Sequence, residues 1–72
     1  MKRSQLVIRF GKRLRGLRLE HGLSQEDLAA MAGLQQNAVS MIENGTRAAT
    51  LVTIEKLAKA LRTTPRDLIP PS

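Results

Sequence analysis

A chain of 72 residues suits one small domain, and folding at that size buries only about 60% of the surface the unfolded chain exposes, which disfavours a deep catalytic cleft. The absence of cysteine excludes disulfides and thiolate metal centres, and the single histidine, His21, does not make a metal cluster. The net charge is +6 and one-sided: Lys2, Arg3, Arg9, Lys12, Arg13, Arg15 and Arg18 all precede the first acidic residue, Glu20, a distribution suited to a polyanion such as nucleic acid or an anionic membrane.

Taken in chain order, Leu6, Phe10, Leu14 and Leu17 recur at the spacing of one helix face. They predict an amphipathic first helix that ends near His21 and Gly22, with Arg9 and Arg13 read as solvated or facing a polyanion. Gly11 and Gly16 weaken that helix by up to ~1 kcal/mol each relative to alanine, so packing must hold it. In SQEDLAAMAG, Ser24 is a helix cap and Asp27 closes a short capping box; Leu28, Met31 and Ala32 share a face, and the small Ala29, Ala30 and Ala32 admit a close neighbour. After the turn at Gly33 and Leu34, a third helix from Gln35 to Asn44 turns Ala38, Val39 and Ile42 inward and stops at Asn44-Gly45. Thr50 caps LVTIEKLAKAL, whose inner stripe is Leu51, Ile54, Leu57, Ala58 and Leu61. Thr64, Pro65 and Asp67 begin a last short helix. No stretch alternates with period two for long enough to claim a strand. The expected fold is all-α, a compact five-helix bundle over residues 1–72, with flexible tails at 1–5 and 70–72.

No run approaches the roughly 18 apolar residues that span a bilayer. The Arg-rich, acid-poor N-terminus is similar to a transit peptide but lacks a secretory apolar core and cleavage site. Its apolar residues are needed for packing, so it is expected to remain and the product to stay in the cytoplasm, associated with the nucleoid.

Two short helices joined at Gly33, the second with an amide-rich outer face, have the layout of a helix-turn-helix spanning about residues 24–45. In that layout the second helix enters the major groove with its N-terminal residues nearest the base edges. Gln and Asn there pair with adenine in bidentate fashion, and apolar groups touch the thymine methyl. Gln36, Asn37 and Met41 are the candidates on this reading. Leu51, Val52, Leu68 and Ile69 exceed what so small a core accommodates and are expected at a second subunit.

The string FGKRLRGLRLEHGLSQEDLAAMAGLQQNAVSMIENGTRAATLVTIEKLAKALRTTPRDLI resembles the Cro and phage-repressor type of helix-turn-helix, the XRE family, over nearly the whole chain. The specific parts are LRLEHGLSQEDLA, the turn AGL, ENG after the third helix, and TIEKLAKAL. The resemblance implies a lambda-repressor-like DNA-binding domain of prokaryotic or phage origin, a homodimer on a two-fold symmetric operator, and control of transcription without a cofactor or metal. It makes Gln36 and Asn37 the principal base readers, with Gln35 at the start of the helix and Ser40 and Met41 one turn on. It gives Gln25 a phosphate and a bracing role toward the third helix, places Ser24, Asn44, Thr46 and Arg47 on backbone phosphates, and pairs Arg18 with Glu43. Phosphate contacts of this kind set register without carrying sequence information.

The sequence departs from the family pattern at four places. Gln35 stands where a Ser or Thr cap is usual, Met41 replaces a polar or basic residue, Arg62 replaces the glycine after the fourth helix, and Ala49 replaces a loop proline. Within the family, restriction-modification controller proteins, antitoxins and phage regulators are all similar. The first expectation is a sequence-specific double-stranded DNA-binding regulator with no obvious small-molecule ligand. The alternative is an antitoxin or other protein-interaction module using the fourth and fifth helices, and a third reading is membrane-surface activity through the cationic first helix. An enzyme is not expected, because no nucleophile-base pair or phosphate-cradling glycine loop is present.

Overall fold

In the computed structural model, which describes residues 4–70, helix α1 spans Gln5–Glu20, α2 Gln25–Ala32, α3 Gln36–Glu43, α4 Leu51–Ala60 and α5 Pro65–Leu68. No strand occurs among the described residues, in agreement with the expected all-α fold. Of the tails expected at 1–5 and 70–72, residues 1–3 and 71–72 lie outside the described residues. Ser4 stands at the N-cap of α1, and Gln5 begins it.

Local chemistry sets the boundaries. Ser24 Oγ accepts from the Asp27 N–H at 2.9 Å and the Asp27 carboxylate accepts from the Ser24 N–H at 3.0 Å, so the first turn of α2 satisfies its own orphan donors. At the other end Gly33 takes the left-handed conformation at φ 70°, and the Leu34 N–H returns to the Ala29 carbonyl at 2.8 Å. This is the tight turn between the two short helices. Thr50 accepts from the Thr53 N–H and starts α4. Thr64 accepts from the Asp67 N–H as expected, but Asp67 does not close a box. Its carboxylate accepts instead from the Thr63 hydroxyl at 2.8 Å.

α3 packs against α1 and α2, α4 against α2 and α5, and α5 closes onto α1. Leu14, Leu28, Val39, Leu57, Leu61 and Leu68 are fully buried where these helices meet, each contributing about 1.5–3 kcal/mol through burial. Three expected core residues lie outside. Leu6 (55% exposed) sits in the first turn of α1, beyond the helices that cover Phe10 and Leu14; Met31 (56%) and Leu51 (81%) lie on outer faces of α2 and α4. Leu68, expected at a subunit contact, is wholly buried. The Pro65–Leu68 turn folds it under α4, and only its neighbour Ile69 faces out.

Gly11 fixes how α1 crosses the end of α3. A Cβ there would overlap the Ile42 carbonyl oxygen and lie 2.7 Å from that of Glu43. The two backbones are therefore in direct contact, which only glycine permits.

Candidate nucleic-acid interface

The amide-rich face of α3 is displayed outward. Gln35, Gln36 and Asn37 are exposed, Ser40 and Met41 half-buried, and Asn44 exposed, while Val39, Ile42 and Glu43 of the same helix are buried. Gln35 occupies the N-cap without a side-chain hydrogen bond to the helix, consistent with glutamine being a weak cap. The N–H groups of the first turn are accordingly not capped by that side chain.

The aim of this face is set by a bidentate ion pair. Arg18 Nε donates to Glu43 Oε2 at 2.6 Å and Nη2 to Oε1 at 3.0 Å; Arg18 is 7% and Glu43 8% exposed. Arg18 Nη1 donates to the Leu23 carbonyl at 2.7 Å, and Gln25 Nε2 donates to Glu43 Oε1 at 3.2 Å. The late part of α1, the start of α2 and the end of α3 are thus tied at one carboxylate. The hydrogen bond from Arg18 to Glu43 holds the guanidinium above its ordinary pKa against the opposing effect of burial.

Of the residues expected to meet phosphates, Gln25 and Asn44 line one hollow over the Arg18–Glu43 pair, together with Ser40 and with Arg15. Arg47 shares a second hollow with Gln35 and Ala38. Thr46 is held by Asn44: its N–H and hydroxyl both donate to Asn44 Oδ1, at 3.1 and 2.6 Å. Ser24 accepts from Asp27 through its oxygen, and a hydroxyl in that role still has a proton to donate.

Arg15 was not singled out by the sequence reading. The signal was available, since Gly11, Arg15 and Arg18 recur at four and three and share the face of α1 that meets α3. Arg13, read as solvated or facing a polyanion, is instead committed to the fold: its Nε donates to the Asp67 carbonyl at 3.0 Å and ties α1 to the end of α5. Of the four residues expected at a subunit contact, Leu51, Val52 and Ile69 are exposed. An apolar hollow of about 240 Å³ lies beside them, lined by Leu6, Val7, Phe10, Leu51, Ile54 and Ile69 among others. No group of residues that could hold a metal ion occurs among the described residues.

The same fold recurs in known proteins. The control protein C.BamHI of Bacillus amyloliquefaciens is 44% identical over 61 residues, covering 83% of this chain and 75% of that protein. The crystal structure of the restriction-modification controller protein C.AhdI from Aeromonas hydrophila superposes with a TM-score of 0.86 at 49% identity, over 88% of this chain and 96% of that one. The biofilm master regulator SinR, solved in complex with DNA, superposes with a TM-score of 0.79 at 28% identity over 82% of this chain and 95% of that one. Residues 14–68 match the helix-turn-helix family HTH_3, and the chain belongs to that family of DNA-binding transcriptional regulators, the XRE type.

Proposed function

We propose that the chain is a sequence-specific regulator that binds a two-fold symmetric operator as a homodimer, in the manner suggested by its likeness to the controller proteins. The observation that carries the reading is the α3 face itself. Three consecutive amides project from the first turn of a helix whose opposite side is locked by the Arg18–Glu43–Gln25 bonds. Gln36 and Asn37 read base edges in the major groove, with Gln35, Ser40 and Met41 beside them; a bidentate amide contact discriminates by roughly 1–3 kcal/mol. Ser24, Gln25, Asn44, Thr46 and Arg47, joined by Arg15, hold the phosphates on either side. Leu51, Val52 and Ile69 meet the second subunit, placing two reading helices about 34 Å apart, one turn of duplex.

The test is selection of bound duplexes from a random pool at physiological salt, followed by sequencing. The expected result is a symmetric motif with half-sites about one helical turn apart. Binding without enrichment, lost as salt rises, would mean that charge alone drives the contact and would reject the reading. A second reading, neutralisation of a protein partner through α4 and α5, draws on the same exposed Leu51, Val52 and Ile69. Co-purification of a stoichiometric partner with no duplex selected would favour it. No helix among the described residues is long and apolar enough to cross a membrane, and action at cytoplasmic, nucleoid-held DNA belongs to this proposal.

A further inference from the structure

Between the C-terminal half of α2 and α4 lies a groove of about 640 Å³ that contains none of the residues assigned above to DNA or to the second subunit. Its lining is apolar at Ala30, Met31, Ala32 and Ala60 and cationic at Lys56, Lys59 and Arg62. No carboxylate lines it. Met31 is 56% exposed, an adaptable apolar surface with nothing over it. The three cations are exposed and their side chains make no hydrogen bond or ion pair with any described residue.

Arg62 adds a second, independent observation. At φ 56° it is the one non-glycine residue with positive φ among the described residues. It occupies the position after α4 where its N–H and that of Thr63 return to the Lys59 and Ala58 carbonyls. Glycine adopts this conformation without a steric penalty, and arginine does not. Strain of this kind persists only where the surrounding structure imposes it, and it clusters at functional sites; here the two returning bonds fix the backbone, and the arginine side chain is kept at a position where glycine would relieve the strain. The negative end of α4 favours cations at Lys59 and Arg62, but it requires neither a left-handed arginine nor an uncovered methionine.

We propose that this groove docks an acidic protein segment carrying one apolar anchor, with carboxylates on Lys56, Lys59 and Arg62 and the anchor on Met31 and its flanking alanines. Charge complementarity selects a polyanion, and the exposed Met31 among alanines selects protein over a nucleic-acid backbone, which brings no large apolar side chain to cover Met31. The site is separate from the proposed reading face, so duplex and partner are held at once.

The probe is a short fluorescein-labelled peptide of Glu and Asp around one central Leu, followed by fluorescence polarisation at physiological salt. Binding is expected to weaken about tenfold in Lys56→Gln/Lys59→Gln and again when Gln and Asn replace the acids of the peptide. Arg62→Gly is expected to weaken it while raising the melting temperature, a combination that a merely structural arginine would not give. Met31→Ser is expected to weaken binding of the Leu peptide but not of its Gly counterpart. The charge-matched Lys12→Gln/Arg66→Gln is expected to bind as wild type. An equal loss in that control would show diffuse charge attraction and overturn the proposal. So would displacement of the peptide by a random-sequence duplex whose own binding is weakened by Lys56→Gln/Lys59→Gln, which would assign the groove to nucleic acid.

Discussion

The carboxylate of Glu43 accepts from three nitrogens, Arg18 Nε and Nη2 and Gln25 Nε2, and this decides what its removal does. Glu43→Ala leaves a buried guanidinium without its counter-charge, at a cost of roughly 3–5 kcal/mol, a large share of the 5–15 kcal/mol that holds an ordinary domain. Melting and duplex binding are both expected to fall; an unchanged melting temperature would remove the pair from the account. On the outer face the expected losses separate by kind. Gln36→Ala relaxes base preference at one position per half-site, whereas Arg47→Ala weakens all sequences alike and lowers the salt slope. Two selections with the same profile would refute that division. Asp27 gives the pH dependence. Its hydrogen bond from the Ser24 backbone holds the carboxyl below its ordinary range. A depressed folded pKa contributes stability above the ordinary value of 3.8 and loses it as pH falls through the folded one. The melting-temperature gap between wild type and Asp27→Ala is therefore expected to be full near neutrality and to close in acid. A gap that stays constant with pH would contradict the cap.

At the scale of the element, two glycines of α1 invite the same substitution with opposite results. Gly16 faces open space, so Gly16→Ala gains helix propensity of about 1 kcal/mol and raises melting by about 4–8 °C for a domain this size. Gly11→Ala makes the same local gain, but its methyl meets the Ile42 and Glu43 carbonyls. Overpacking of this kind costs about 1–3 kcal/mol and pushes α3 away, so melting and duplex binding both drop. Equal effects at the two sites would mean that α1 and α3 do not touch there. The contrast also shows what the sequence could convey. Helix periods, the Ser24 cap, the Gly33 turn and the outward amides of α3 are local patterns, legible from residue order alone. That Gly11 is a contact rather than a weakness, that Arg13 reaches the Asp67 carbonyl, and that Leu68 is core depend on residues more than thirty positions apart or on how α5 folds back. Leu6 and Leu51 obey the helical period yet lie outside, because a stripe gives a direction and not the extent of the neighbour that covers it.

At the scale of the whole molecule, that uncovered apolar surface links assembly to the proposed function. Leu51 is 81%, Val52 59%, Ile69 44% and Leu6 55% exposed, beside an apolar hollow, on a domain too small to bury them itself. If Leu51 and Val52 meet a second subunit, Leu51→Ser/Val52→Ser removes apolar area from the dimer and nothing from the monomer core. The double variant is then expected to keep the wild-type helical signal and, at low protein concentration, the wild-type melting temperature. It should sediment as a monomer where wild type is a dimer. Its affinity for a symmetric site should drop toward that for a single half-site, because the second reading helix no longer binds at high effective concentration. A variant that remains dimeric would move the subunit contact elsewhere. One that becomes monomeric yet binds the symmetric site undiminished would show that two-fold pairing does not supply the affinity.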